Sequence, residues 1–203
     1  LPIICVLHKQ SMSYAEMECP MTARPRWPAL AALCLPMLIV SMEVSELFFA
    51  VPFIASDLNP SATQQLWIFD VYGFVLAGLL LTMGSLADRV GHRRLLMVGA
   101  VGFSGASILA AFAPTASLLI LARAVLAVSG ATLMPSTLAL IRHIFDDDAD
   151  RAKAIAAWNA VLAGGVAVGP IISGLLLEHF WWGSVFLINV PVMVLLLVAA
   201  PLL

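Results

Sequence analysis

Four ionisable side chains interrupt apolar stretches of this chain, and their positions could support proton and cation chemistry. Glu43 and Glu46 are three residues apart, so they would share one face of a helix. Asp70 and Arg123 lie inside two later apolar stretches. A charge at the centre of a bilayer costs ~3 kcal/mol on insertion scales, and such residues usually serve a function. A carboxylate there can hold a proton or a cation but not both well, so we predict that the three acids couple protons to a substrate, with Arg123 modulating their charge.

Each of these residues also has an interpretation without a functional role. Either glutamate could lie near the outer end of its span and reach water. Asp70 could be a first-turn acid that the helix dipole favours. Arg123 could be a permanently paired structural charge, with Glu43, Glu46 or backbone carbonyls as its partners.

The composition indicates that a membrane surrounds most of the chain. Its 203 residues are 62% hydrophobic and 11% charged, with a mean hydropathy of +1.03, whereas soluble domains contain about 25% charged residues. The net charge of -2 comes with no basic patch, so we expect no nucleic-acid partner. The cysteines lack metal-ligand spacing. The sequence also shows no pair of a nucleophile and a base of the kind that would indicate an enzyme. We therefore expect no catalytic residues and no metal site.

Six apolar runs are long enough to be membrane helices, which need about 20 residues each. They are too continuous for the strands of a membrane barrel, which alternate over about 10 residues. We expect an all-α membrane protein with helices at about 28–52, 65–86, 95–113, 117–141, 152–177 and 184–203.

The arginines and lysines indicate how these helices cross the membrane. They precede the first run and occupy the loops after the second and fourth runs, whereas the other loops contain none. The positive-inside rule then predicts a cytoplasmic N-terminus.

The first 24 residues differ from the rest of the chain. Leu1 is not an ordinary start residue, and the apolar run that follows lacks the basic region of a signal peptide. We expect residues 1–24 to be a disordered leader of doubtful origin, with Met21 as a plausible native start. A short functional amphipathic arm is the alternative. Residues 25–203 would then form the transmembrane unit.

A short charged turn connects the second and third runs. It resembles the loop between helices two and three of the major facilitator superfamily, written G-x-L-A-D-R-x-G-R-K-x-x-L, except that His92 replaces the first basic residue. In that family the loop is a latch that holds one conformation of the transporter. The resemblance implies the same role for Gly84, Asp88, Arg89, Gly91 and Arg93.

The fifth run is rich in small residues. Gly165 and Gly169 form a G-x-x-x-G face, which permits close helix contact, and Pro170 would bend the helix. The segment from Gly169 to Gly174 resembles the fifth-helix motif of antiporters in the same superfamily, with Ser173 in place of one glycine. Ordinary packing between membrane helices is the alternative interpretation.

Three further segments, Met42–Glu43, Gln64–Asp70 and Ser184–Pro191, are similar to fourteen-helix drug:proton antiporters, especially exporters of quaternary ammonium compounds and methyl viologen. The resemblance implies the N-terminal six-helix half of a major facilitator fold, built from two three-helix repeats. It also implies export of lipophilic cations driven by a proton gradient, without a cofactor.

The partners implied are membrane lipid, organic cations, protons, and a complementary C-terminal half or a second copy of the chain. The alternative is a truncated membrane protein that does not transport, or a partner subunit of a full-length transporter.

Overall fold

The computed structural model describes residues 26–200, and every regular element in that range is helical. The all-α prediction is confirmed, while the predicted leader, residues 1–24, lies outside the described part of the chain. The helices in chain order are α1 (Arg26–Leu58), α2 (Ala62–Val90), α3 (His92–Ala111), α4 (Ala116–Ile144), α5 (Asp148–His179), α6 (Ser184–Leu187) and α7 (Asn189–Ala199).

Within residues 26–200, five helices are long and apolar enough to cross a membrane, namely α1 to α5. The shortest of them, α3, has 20 residues and the longest, α1, has 33. A helix needs about 20 residues to cross a hydrocarbon core of ~30 Å. The chain is therefore a multi-pass membrane protein.

The predicted sixth span is interrupted in the structure. It consists of α6 and α7, with a turn at Ile188 between them. Pro191 has no backbone N–H and cannot donate to the carbonyl of Leu187, four residues earlier. The helix therefore lacks one backbone hydrogen bond at this point. Ile188 keeps helical dihedral angles of φ -62° and ψ -24°, so the backbone continues as a right-handed helix.

Two helices begin earlier than predicted because polar side chains cap them. Ser61 and Gln64 form a capping box: the Gln64 N–H donates to Ser61 Oγ at 3.3 Å, and the Ser61 N–H donates to Gln64 Oε1 at 2.9 Å. Asp147 caps α5 by accepting from the Asp150 N–H at 3.0 Å. Each cap satisfies backbone donors that a helix start leaves free, which extends the helix beyond its apolar run.

The helices pair as two related sets of three. α1 packs along α5, and α4 packs along α2. If the first three spans correspond to the last three, α1 is equivalent to α4 and α2 to α5, so the two pairings are one contact made twice. α3 and the α6–α7 segment, the remaining equivalent elements, also pack against each other. The first helix of each set therefore packs against the second helix of the other set, which is the pattern expected of two three-helix repeats.

Polar contacts connect helix ends at the two opposite ends of the bundle, and each end presents one face to the water beside the membrane. At the first face Arg26 lies 3.8 Å from Asp146, and at the second Trp182 Nε1 donates to Asp57 at 2.8 Å. With one exception, Arg123, the lysines and arginines among residues 26–200 belong to the first face: Arg26, Arg89, Arg93, Arg94, Arg142, Arg151 and Lys153.

Gly91 forms the turn between α2 and α3 with φ 100°. With ψ 128° this conformation lies outside the left-handed helical region, and a residue with a Cβ held in such a sparsely populated region costs about 1–3 kcal/mol. Gly91→Ala should therefore lower the free energy of unfolding by about 1–3 kcal/mol. Thermal unfolding in detergent micelles measures this loss. Gly78→Ala is the matched control, since open space surrounds this helical glycine, and it should be neutral or slightly stabilising. Equal losses in the two variants would contradict the prediction.

Candidate functional site

Glu43 and Arg123 form an ion pair in the interior of the bundle. Arg123 Nη1 donates to Glu43 Oε1 at 3.0 Å, and the two side chains are 1% and 0% exposed. α1 carries the glutamate and α4 the arginine. Of the three kinds of partner predicted for Arg123, Glu43 is therefore the one that it contacts. Separating the two charges within the packed bundle would leave each of them buried and uncompensated.

A second polar group occupies the other oxygen of Glu43. Asn189 Nδ2 donates to Glu43 Oε2 at 3.1 Å and to Ser107 Oγ at 3.2 Å. Asn189 is the first residue of α7 and Ser107 belongs to α3, and both are fully buried. The carboxylate of Glu43 thus links α1 to both α4 and α7.

Sequence reasoning did not single out Asn189 or Ser107, because neither residue carries a charge. A signal was present for the asparagine. It stands within the apolar sixth run, and a side-chain amide in an apolar environment is unfavourable unless it forms hydrogen bonds. An amide retained there therefore indicates a buried polar partner.

Glu46 lies beside the ion pair but does not join it. It follows Glu43 by one helical turn on the same side of α1 and is 1% exposed. Within residues 26–200, neither of its carboxyl oxygens has a hydrogen-bond partner. The charged groups that act on it are Glu43 and Arg123.

Asp70 lies apart from this buried cluster. Its exposed side chain lines a cavity of about 430 Å³, together with Phe48, Phe69, Tyr72 and Arg123 among others. The cavity therefore has an acidic and aromatic wall. Arg123 is the residue that the cavity shares with the buried ion pair.

The helix dipole does not account for Asp70. α2 begins at Ala62, eight residues before it, and the stabilisation of an acid by the dipole fades after the first turn. Tyr72 is buried, its ring centroid lies 5.5 Å from Arg123 Cζ, and its hydroxyl donates to the carbonyl of Val40 at 3.3 Å. The ring therefore already contacts one cation, the guanidinium of Arg123.

The buried cluster contains two carboxyls and one guanidinium. Its net charge is zero when one carboxyl holds a proton and minus one when both are ionised. A single proton therefore changes the charge beside the cavity.

The residues of the predicted latch lie at the turn between α2 and α3. Asp88 Oδ1 lies 3.4 Å from Nε2 of His92, and Gly84 lies beside Pro135 of α4. Arg89 and Arg93 are exposed and form no ion pair with any residue in the described range. Their role as a latch stays a prediction.

The small residues of α5 divide between two faces. A Cβ on Gly165 would clash with Ser41 Oγ and lie 2.8 Å from the carbonyl oxygen of Leu38, and one on Gly169 would clash with Ser45 Oγ. These two glycines let α5 approach α1 closely. Gly174 has open space around it, so it does not contribute to this contact. Whether the segment serves antiport stays a prediction.

Comparison with known proteins identifies the family. The model of the Major Facilitator Superfamily matches residues 32–203, which is most of the chain. The chain belongs to the Major Facilitator Superfamily. Proteins of this superfamily are membrane transporters, and the resemblance that the hairpin motif predicted is confirmed.

Several curated members of the superfamily are similar to this chain. The multidrug efflux pump LfrA of Mycolicibacterium smegmatis is 58% identical over 175 residues, which are 86% of this chain and 35% of the pump. The methyl viologen resistance protein SmvA of Salmonella typhimurium is 45% identical over 172 residues, 85% of this chain and 35% of that protein. The puromycin resistance protein of Streptomyces alboniger is 38% identical over 178 residues, which are 88% of this chain and 35% of that protein.

The chain thus spans about a third of the length of these major facilitator relatives. This extent is consistent with the N-terminal half of the longer fold.

Breaking the buried ion pair should lower stability. Glu43→Gln removes the carboxylate that Arg123 contacts and leaves the guanidinium with Glu46, which lies beyond ion-pair distance, so the free energy of unfolding should fall by up to about 3–5 kcal/mol. Denaturant unfolding in detergent micelles measures this loss. Glu178→Gln is the matched control, because Glu178 is exposed near the end of α5.

The double variant Glu43→Gln/Arg123→Met removes both charges and should recover most of the lost stability. A single variant as stable as Glu178→Gln would contradict the expected cost of breaking the pair.

The contact between α1 and α5 depends on glycine at position 165. Gly165→Ala should lower the free energy of unfolding by about 1–3 kcal/mol, because overpacking forces neighbouring groups apart. Gly174→Ala makes the same change on the open face and should leave stability nearly unchanged. Comparing the thermal midpoints of the two variants tests this, and a larger loss at Gly174 would be inconsistent with the packing described.

Proposed function

We propose that this chain forms the N-terminal half of a proton-coupled antiporter that exports lipophilic cations. The observation that carries the proposal is the buried cluster of Glu43, Glu46 and Arg123 next to the cavity that Asp70 lines. The cluster has one carboxyl more than its single guanidinium can neutralise. Loss of a proton therefore creates a negative charge that attracts a cation, and gain of a proton removes it.

The cavity has the chemistry that a lipophilic cation requires. Phe48, Phe69 and Phe74 provide apolar and aromatic surface, and Asp70 provides a negative charge. Organic cations bind well where aromatic faces and a carboxylate occur together. The functions that the names of the relatives give, multidrug efflux and methyl viologen resistance, agree with such a substrate.

The proposal includes an orientation in the membrane. Seven cationic side chains lie at the face that holds the start of α1, and cationic loops are typically cytoplasmic. We therefore place the N-terminus in the cytoplasm and the chain in the bacterial inner membrane. No enzymatic activity is part of this proposal.

A complementary half is the partner that completes the transporter. In major facilitator folds the substrate site lies between two six-helix halves, so this chain would supply one wall of it. Arg89 and Arg93 are exposed at the end of the bundle that holds the α2–α3 turn, where the latch would meet the second half. A second copy of this chain is the other candidate for that position.

The experiment is cation efflux in inverted membrane vesicles with an imposed proton gradient, using ethidium and methyl viologen as substrates. The chain is tested alone and fused to the remainder of the Mycolicibacterium smegmatis pump in place of the segment that it matches. We expect gradient-driven transport in at least the fused form, lost in Glu43→Gln and kept in Glu178→Gln.

The double variant Glu43→Gln/Arg123→Met separates function from folding, because it should restore stability without restoring transport. If neither form transports although both are inserted in the membrane, the exporter proposal is rejected. That result would favour the alternative, a membrane protein that does not transport, or a subunit that acts through a full-length partner.

A further inference from the structure

The two glutamates of α1 have different surroundings. Both oxygens of Glu43 are engaged, Oε1 by Arg123 at 3.0 Å and Oε2 by Asn189 at 3.1 Å. Every one of these contacts brings a donor to the carboxylate. Donors stabilise the ionised form of a carboxyl. A protonated Glu43 would need an acceptor for its O–H group, and the groups that contact its two oxygens are donors.

Glu46 has the opposite surroundings. It is as deeply buried as Glu43, yet within residues 26–200 no hydrogen-bond donor contacts either of its oxygens, and its carboxyl faces that of Glu43. A buried carboxylate without donors would be strongly unfavourable, while a neutral carboxyl in the same place is tolerated.

The groups that face Glu46 come from three helices. Glu43 lies on α1 itself, Arg123 on α4, and Tyr72 on α2. Arg123 is already paired with Glu43, so the charges of these two residues largely cancel at Glu46. Tyr72 donates its hydroxyl proton to the carbonyl of Val40 and offers no donor to the carboxyl.

We propose that Glu46 is the carboxyl that exchanges protons, while Arg123 and Asn189 hold Glu43 as a fixed anion. This inference rests on the proposed function and assigns separate tasks to two residues of the same site. In the packed bundle Glu46 holds the proton. When its surroundings open to water, the O–H bond of the carboxyl breaks, the proton goes to water, and the remaining carboxylate attracts a cation.

The two tasks explain why Asn189 and Ser107 belong to the site. Asn189 is a positioning residue, because it contacts Glu43 and not the substrate cavity. It fixes the second oxygen of Glu43, so the pair with Arg123 keeps one geometry. Ser107 in turn anchors the amide of Asn189.

Infrared spectroscopy of the full chain in detergent micelles tests the assignment, because a protonated carboxyl has a C=O stretching band separate from that of a carboxylate. At pH 7 we expect such a band from a buried protonated carboxyl in the wild type. Glu46→Gln should abolish the band, whereas Glu178→Gln should leave it unchanged. Glu46→Asp keeps a carboxyl in a shifted position, so the band should move in frequency.

A wild-type spectrum without the band, or a band that survives in Glu46→Gln, would overturn the proposal. An unshifted band in Glu46→Asp would also overturn it, and this variant serves if Glu46→Gln does not fold. The spectra require no transport, so the two proposals can fail separately. If the band vanishes in Glu46→Gln but vesicles show no efflux, the proton assignment holds and the exporter proposal fails.

Discussion

The ion pair between Glu43 and Arg123 is the interaction on which the arrangement of the bundle depends. Two opposite charges removed from water can be kept there only as a close pair with further hydrogen bonds. That requirement fixes the register of α1 against α4, and the amide of Asn189 extends it to α7 and α3. Three helices, α1, α4 and α7, therefore meet at a single carboxylate, and α3 is connected to it through Asn189. Small changes in any one of them are felt by the other three.

The contact between α1 and α5 is of a different kind. It is formed by glycines on α5 against serines on α1, and both serine hydroxyls are satisfied by carbonyls of their own helix. No hydrogen bond or charge crosses between the small residues of the two helices. Close packing of small residues therefore forms the contact between α1 and α5, whereas an ion pair connects α1 to α4.

The sequence identified the intramembrane charges because ionisable residues stand out in apolar runs, and it located the spans for the same reason. It did not separate the tasks of Glu43 and Glu46, since that distinction depends on which donors other helices bring to each carboxyl. Asn189 was missed because its partner is 146 residues away. The predicted starts of α2 and α5 were too late, because the capping side chains precede the apolar run from which each start was predicted. The turn at Ile188 was missed because Pro191 was read as part of a continuous span.

The separation of the paired charges along the chain has a consequence for biosynthesis. Arg123 follows Glu43 by 80 residues, which correspond to roughly 4–16 s of translation at 5–20 residues per second. During that interval the first span enters the membrane with its glutamates and without their counter-charge. Until the fourth span arrives, the insertion machinery must keep α1 at a water-lined or protein-lined site, or the glutamates must enter as neutral acids. If the glutamates enter ionised, α4 is therefore the element that allows α1 to leave that site.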